Sequence, residues 1–123
     1  MFGISVTGHF CGAHRLNGYK GPCANLHGHN WEVEIFLQGA ETNRLGMLVD
    51  YKLIKKTLQA ALKKLDHQDL NALPAFRKMN PTAENIAKFI FDTLAPKLDS
   101  SPCRLIRVRI SETPGTAAYY TRA

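Results

Sequence analysis

The stretch NWEVEIFLQ, residues 30–38, sets the first limit on the fold: Trp31, Val33, Ile35 and Leu37 alternate with Asn30, Glu32, Glu34 and Gln38. A period of two places every apolar side chain on one face of an extended chain, so the segment predicts a half-buried β-strand. FGISVTGHF repeats the pattern, with Phe2, Ile4 and Val6 against Gly3, Ser5 and Thr7. CRLIRVRIS repeats it again, with Ile106, Val108 and Ile110 against Arg107, Arg109 and Ser111. After the turn signal Thr113-Pro114-Gly115, the tail GTAAYYTR can return beside that third strand as a fourth.

Between the second and third strands the period changes. From Asp50, a good N-cap, Leu53, Thr57, Leu58, Ala61, Leu62 and Leu65 recur at steps of three and four, with Lys52, Lys55, Lys56, Lys63 and Lys64 mostly on the remaining face. NPTAENIAKFIFDTLAP begins a second helix, with Asn80 as N-cap, Pro81 at the first helical position, and Ile86, Phe89, Ile90, Thr93 and Leu94 on one stripe before Pro96. The order is ββααββ, an α+β arrangement, and 123 residues suit one domain spanning 1–123. Two long irregular connections are expected, at residues 8–28 and 66–80.

Charge and cysteine usage narrow the function classes. The net charge of +6 favours anionic partners. The basic residues are scattered with no run longer than two, and Arg107 and Arg109 lack the paired aromatics of base-stacking readers, so a nucleic-acid partner is not expected. No run approaches the roughly 18 apolar residues of a membrane span, and the amino terminus lacks a basic segment with an apolar core. Three cysteines at unrelated positions, 11, 23 and 103, suit a reducing compartment. A cytoplasmic protein with free thiols is expected, Cys11 and Cys103 being small buried residues.

The chemistry-bearing residues collect in the two connections and at strand ends. His27 and His29 flank Gly28, and residues two apart in extended chain project from one side, so both imidazoles can reach one ion. With His14 as third donor the site has the three-histidine pattern of a catalytic zinc, whose fourth position stays open. Cys23 can instead close the shell as a fourth ligand, or stand free beside the ion as a low-pKa thiolate. Asp66-His67, directly after the first helix, is either a carboxylate-oriented proton relay or a helix C-cap. Glu112, ending the third strand, can accept two hydrogen bonds from the amidine-like edge of a heterocycle.

In their order, FCGAHRL, CxxxHGHNW, GMLVDY, LDHQDLN, NPTAEN and SETP resemble the 6-pyruvoyltetrahydropterin synthase and 6-carboxytetrahydropterin synthase superfamily over nearly the whole chain. The resemblance implies the tunnelling fold, a four-stranded antiparallel sheet backed by two helices. Three copies of it form a twelve-stranded barrel, often as two stacked trimers, with the active sites between subunits. It also implies zinc on His14, His27 and His29, a reactive Cys23, a catalytic Asp66 and His67 pair, a pterin-anchoring Glu112, and Thr82 and Glu84 beside the substrate.

Three residues between Cys23 and His27, with Ala24 where folate-type members carry glutamate, resemble the bacterial 6-carboxy enzymes of queuosine-precursor synthesis. The implied substrate is 7,8-dihydroneopterin triphosphate, with loss of triphosphate and of acetaldehyde by a retro-aldol step. The alternatives are a 6-pyruvoyltetrahydropterin synthase, which eliminates triphosphate alone, and a zinc hydrolase acting on no pterin, which would need the histidines but neither Cys23 nor Glu112.

Overall fold

The computed structural model describes residues 1–100 and 103–123. In chain order it holds β1 (Phe2–His14), β2 (His27–Gly39), helix α1 (Tyr51–Lys63), β3 (Gln68–Asp69), helix α2 (Ala83–Leu98), β4 (Cys103–Ser111) and β5 (Ala118–Thr121). The sheet order is β3-β1-β2-β4-β5. The β1–β2, β2–β4 and β4–β5 pairings are antiparallel, whereas β3 pairs with β1 in parallel at Gly12–Gln68 and Ala13–Asp69. The expected four strands are therefore five, since a two-residue strand is too short to carry a periodic signal.

Both helices cover one face of the sheet. The even positions of β1 and the odd positions of β2 point into a single buried cluster that includes Phe10, Trp31, Val33, Ile35, Leu58, Leu62, Ile90 and Leu94. Strand β1 runs to His14, so the first irregular connection is 15–26 rather than 8–28. Two glycines in its inward row hide the alternation. A Cβ at Gly8 would lie 2.8 Å from Leu62 Cδ1 and one at Gly12 3.2 Å from Phe10 Cε2, so small residues let α1 and the Phe10 ring close onto the strand.

Helix α1 starts as expected, the Asp50 carboxylate accepting from Lys52 N at 2.9 Å. Its buried residues are Ile54, Leu58, Ala61 and Leu62, while Leu53 is 55% exposed. Both rows satisfy helical spacing, and contact with the sheet selects the one through Ile54. Helix α2 is capped by Thr82, whose hydroxyl accepts from Asn85 N at 3.1 Å, and not by Asn80. It also continues through Pro96 to Leu98, because the buried Leu98 anchors the last turn and Asp99 N donates to Ala95 O at 2.9 Å.

In β4 the inward row changes parity. Phe36 pairs with Arg107 but Leu37 with Leu105, so Ile106 is an extra residue in a bulge and only half-buried, and the inward row is Cys103, Leu105, Val108 and Ile110. Burial, aided by the Asp99 charge, holds the Cys103 thiol above its ordinary pKa. Cys11, by contrast, is exposed, because it occupies the odd, outward row of β1. That outward face carries Ser5, Thr7, His9, Glu32 and Arg109, with Glu32 3.5 Å from His9 and 3.6 Å from Arg109. No helix of the described residues is long and apolar enough to cross a membrane.

Candidate metal centre

The β1–β2 register sets His14 directly opposite His27 and Gly12 opposite His29. All three histidines belong to the inward rows that further along carry Phe10, Trp31 and Val33, so the apolar rows end in imidazoles. The ring centroids lie 4.6 Å apart for His14–His27, 4.7 Å for His27–His29 and 5.3 Å for His14–His29. Trp31 forms the floor, its ring edge-on to His14 and His29 and its Nε1 donating to Gly12 O at 3.1 Å.

Backbone carbonyls orient two of the rings. His14 Nδ1 donates to Pro81 O and His27 Nδ1 donates to Asn25 O, each at 2.7 Å. A carbonyl can only accept, so the proton resides on Nδ1 and the Nε2 lone pair is free, the tautomer of a metal-binding imidazole. His14 is 1% exposed, and the buried Nε2 atoms of His14 and His29 have no hydrogen-bond partner. A buried polar atom without a partner costs about 1–3 kcal/mol, so two converging on one point are a feature that a bound ligand explains.

One ligand atom from each of His14, His27, His29 and Glu112 lies within 4.8 Å of the others. Three imidazole nitrogens suit zinc in tetrahedral geometry, with the fourth position open to the carboxylate or to a ligand oxygen. Glu112 Oε2 approaches His29 Nε2 at 3.1 Å without the alignment of a hydrogen bond. Burial pushes the His29 pKa down, the Glu112 charge opposes that, and His27 and His14 add to the lowering.

The other sequence candidates take distinct places. Cys23 sits half-buried in a 3-10 turn, Pro22–Ala24, and its carbonyl accepts from Leu16 N at 2.8 Å. Its sulfur is not in the four-residue ligand group. Asp66 and His67 dock on β1 from outside that group: Asp66 Oδ1 accepts from Cys11 N at 2.9 Å, and Asp66 Oδ2 lies 2.9 Å from His67 Nδ1. The Cys11 amide and then the His67 hydrogen bond hold the Asp66 carboxyl below its ordinary value. His67 adopts φ +58°, its N–H donates to Cys11 O, and its side chain is 79% exposed. An open depression of about 460 Å³ extends from His67 past Cys11 and Asn30 to His29.

Glu112 and Glu84 line a second cavity of about 430 Å³ between the start of α2 and the β4–β5 turn. Thr82, one residue before Ala83, is not among the residues that line it, and its hydroxyl oxygen is engaged as the α2 cap. The carbonyls of Pro81 and Asn25, which aim two of the imidazoles, carry no sequence signal because every residue has a carbonyl. Glu112 as a neighbour of the histidines was equally invisible, since at least 83 positions (112 − 29) separate them and only the sheet order brings β4 beside β2.

Known proteins resemble this chain in sequence and fold. The model of the family described as 6-pyruvoyl tetrahydropterin synthase matches residues 3–123. The chain is 33% identical over 123 residues to 6-pyruvoyl tetrahydrobiopterin synthase of Dictyostelium discoideum, covering 90% of this chain and 89% of the relative. It is 32% identical over 123 residues to 6-carboxy-5,6,7,8-tetrahydropterin synthase of Rickettsia bellii, covering 85% and 89%. Its fold matches the structure of Caenorhabditis elegans 6-pyruvoyl tetrahydropterin synthase with a TM-score of 0.89 and 29% identity, over 99% of this chain and 96% of that one.

Proposed function

Because the chain belongs to the 6-pyruvoyl tetrahydropterin synthase family, we propose that it is a zinc-dependent lyase converting 7,8-dihydroneopterin triphosphate and water to 6-carboxy-5,6,7,8-tetrahydropterin, acetaldehyde and triphosphate, on the route to queuosine. The observation that carries this reading is the cup of three imidazoles, two of them oriented by carbonyls, with two partnerless buried Nε2 atoms, bordered by a carboxylate-lined cavity. His14, His27 and His29 would hold the zinc. When bound, it supplies Lewis acidity to the hydroxyls of the pterin side chain.

The chain's own residues do the rest. Cys23 removes a proton from the side-chain carbon, and His67, its Nδ1 held by Asp66, returns or relays protons through Nε2. Glu112 accepts hydrogen bonds from the amidine edge of the pterin, with Glu84 across the same cavity. Thr82 retains its O–H proton for the substrate while its oxygen caps α2. The net charge of +6 draws in a triphosphate.

Assembly belongs to this reading. The Asp66–His67 pair faces outward, and the polar face with His9, Glu32 and Arg109 is uncovered within one chain. A homo-oligomeric barrel, a trimer or a dimer of trimers, would enclose that face and bring a neighbour's pair toward each histidine cup.

Relatives carry both 6-carboxy and 6-pyruvoyl names. The three-residue gap from Cys23 to His27 favours the carboxy product by keeping the thiol close for repeated proton transfers. Mass spectrometry of the products tests it. Acetaldehyde in equal amount with 6-carboxytetrahydropterin is expected, whereas 6-pyruvoyltetrahydropterin without acetaldehyde would overturn the product assignment and leave the pterin reading standing.

A further inference from the structure

The segment Arg15–Asn17, which leaves the sheet after His14, has no main-chain neighbour among the described residues on the side where β3 paired with β1, yet its backbone is held there. Asn71 Oδ1 accepts from Arg15 N at 2.8 Å and Asn71 Nδ2 donates to Arg15 O at 3.0 Å. Two residues on, Asn80 Oδ1 accepts from Asn17 N and Asn80 Nδ2 donates to Asn17 O, both at 2.9 Å. A primary amide presents one acceptor and one donor side by side, so each asparagine replaces the backbone of a missing strand. Main-chain pairing with β3 ends at Ala13–Asp69, and the two side chains carry it on at residues 15 and 17.

Both clasps are themselves anchored. Asn71 N donates to Asp69 Oδ1 at 3.1 Å, and Asn80 O accepts from Asn85 Nδ2 at 2.8 Å in the first turn of α2. Leu16, between the clasped residues, donates its N–H to Cys23 O at 2.8 Å. A continuous set of hydrogen bonds thus runs from the two asparagines to the main chain of Cys23. Arg15 and Asn17 are exposed, so clasping them closes no apolar core. What it does is locate a twelve-residue loop, 15–26, that would otherwise be tied only at its ends.

We propose that Asn71 and Asn80 are positioning residues whose amide clasps on Arg15 and Asn17 hold the Cys23 loop in register with the histidine cup. The inference rests on the reading of Cys23 as the reactive thiol. The two clasps differ in one respect. Asn80 directly precedes Pro81, whose carbonyl accepts from the His14 ring, whereas Asn71 holds the main chain of Arg15, next to His14, and bonds no group that hydrogen-bonds a metal-site ring. Loss of Asn71 therefore loosens chiefly the thiol loop, with the His14 ring still held by Pro81, and loss of Asn80 loosens both thiol loop and metal site.

The experiment uses the full chain with zinc and the variants Asn71→Ala, Asn71→Asp and Asn80→Ala. Iodoacetamide labelling of each cysteine peptide is followed by mass spectrometry, alongside zinc content and steady-state turnover of dihydroneopterin triphosphate. Asn71→Ala should keep its zinc, change the labelling rate of Cys23 by about fivefold or more with Cys103 unchanged, and lower kcat by about 10–100-fold with KM little altered, the scale expected from misplacing a reacting group by about 1 Å. Asn71→Asp keeps the acceptor and loses the donor, so it should recover part of kcat. Asn80→Ala should show the same labelling change together with weaker zinc retention.

Wild-type labelling of Cys23 and wild-type kcat in Asn71→Ala would overturn the proposal. So would faster labelling of Cys103 in step with Cys23, which would mark general loosening rather than lost positioning. Failure of the wild-type chain to turn over the pterin triphosphate would instead sink the functional reading, while the labelling contrast still decides whether the clasps hold the loop.

Discussion

The two ends of the β2–β4 region both draw polar groups toward the core, and they treat them in opposite ways. At the bulge, Arg122 donates from Nη2 to Asp99 Oδ2, from Nε to Leu105 O at 3.0 Å and from its main-chain N to Ile106 O at 2.9 Å, and its guanidinium lies 5.3 Å from the Phe91 ring centre. The second Asp99 oxygen accepts from Leu105 N at 2.8 Å. At the other end, His14 and His29 each bury a nitrogen with no partner. A satisfied network completes a fold, because each group it buries recovers its lost hydration. An unsatisfied one, with His14 held in place by the Pro81 carbonyl, spends stability on readiness for a ligand.

That contrast is open to direct attack, the strongest effect coming first. His29→Ala should reduce zinc from about one ion per chain to near none and cut turnover by more than about 100-fold, since even residues behind metal ligands are worth 10–100-fold. Metal analysis and kinetics check both, and a zinc-replete His29→Ala protein would refute the three-histidine site. Chelation should also lower the wild-type melting temperature, because an ion that binds only the folded chain stabilises it.

Arg122→Ala attacks the other end. It strands the half-buried Asp99 carboxylate and should cost about 2 kcal/mol, read as a drop of several degrees in melting temperature. Zinc content should stay at the wild-type level. If it fell in proportion, the two ends would be one cooperative network and the comparison would fail.

Thr82→Ala tests a residue between these extremes, a helix cap one residue before Ala83 of the carboxylate-lined cavity. Loss of the cap should cost about 1 kcal/mol in urea unfolding. A rise in KM for the pterin beyond that loss would show that the hydroxyl also meets substrate.

The smallest effect concerns acid. The Cys11 amide depresses the Asp66 pKa below 3.8, so the folded chain gains from the ionised carboxylate above that value and loses the gain as pH falls through the lower, folded value. Urea unfolding of wild type and Asp66→Asn between pH 5 and about pH 2 should show the difference between them shrinking as pH falls. A constant difference would mean that Asp66 contributes nothing through its charge.

Much of this molecule is legible in one dimension. The alternation of Trp31, Val33, Ile35 and Leu37 specifies a strand and its buried face, and the three- and four-residue steps through Leu58 and Leu62 specify a helix, because both signals are local geometry written in side-chain type. His-Gly-His states by its spacing alone that two imidazoles share a side. The bulge at Ile106 and the two-residue β3 escaped, since each depends on which strand lies alongside, and the exposure of Cys11 escaped because Gly8 and Gly12 interrupt the alternation that places it outward.

Read in one dimension, the chain specifies four of its five strands, both helices, most of their buried faces and the same-side placement of the two imidazoles that flank Gly28. Only the tertiary structure decided that His14 faces His27 across a register, that Glu112 arrives beside His29 from a distant strand, and that Asn71 and Asn80 clasp the loop of Cys23. The physical reason is that periodicity fixes direction along a chain, whereas convergence of separate segments is fixed by pairing and packing, which reward the sum of many contacts and leave no mark at any single position.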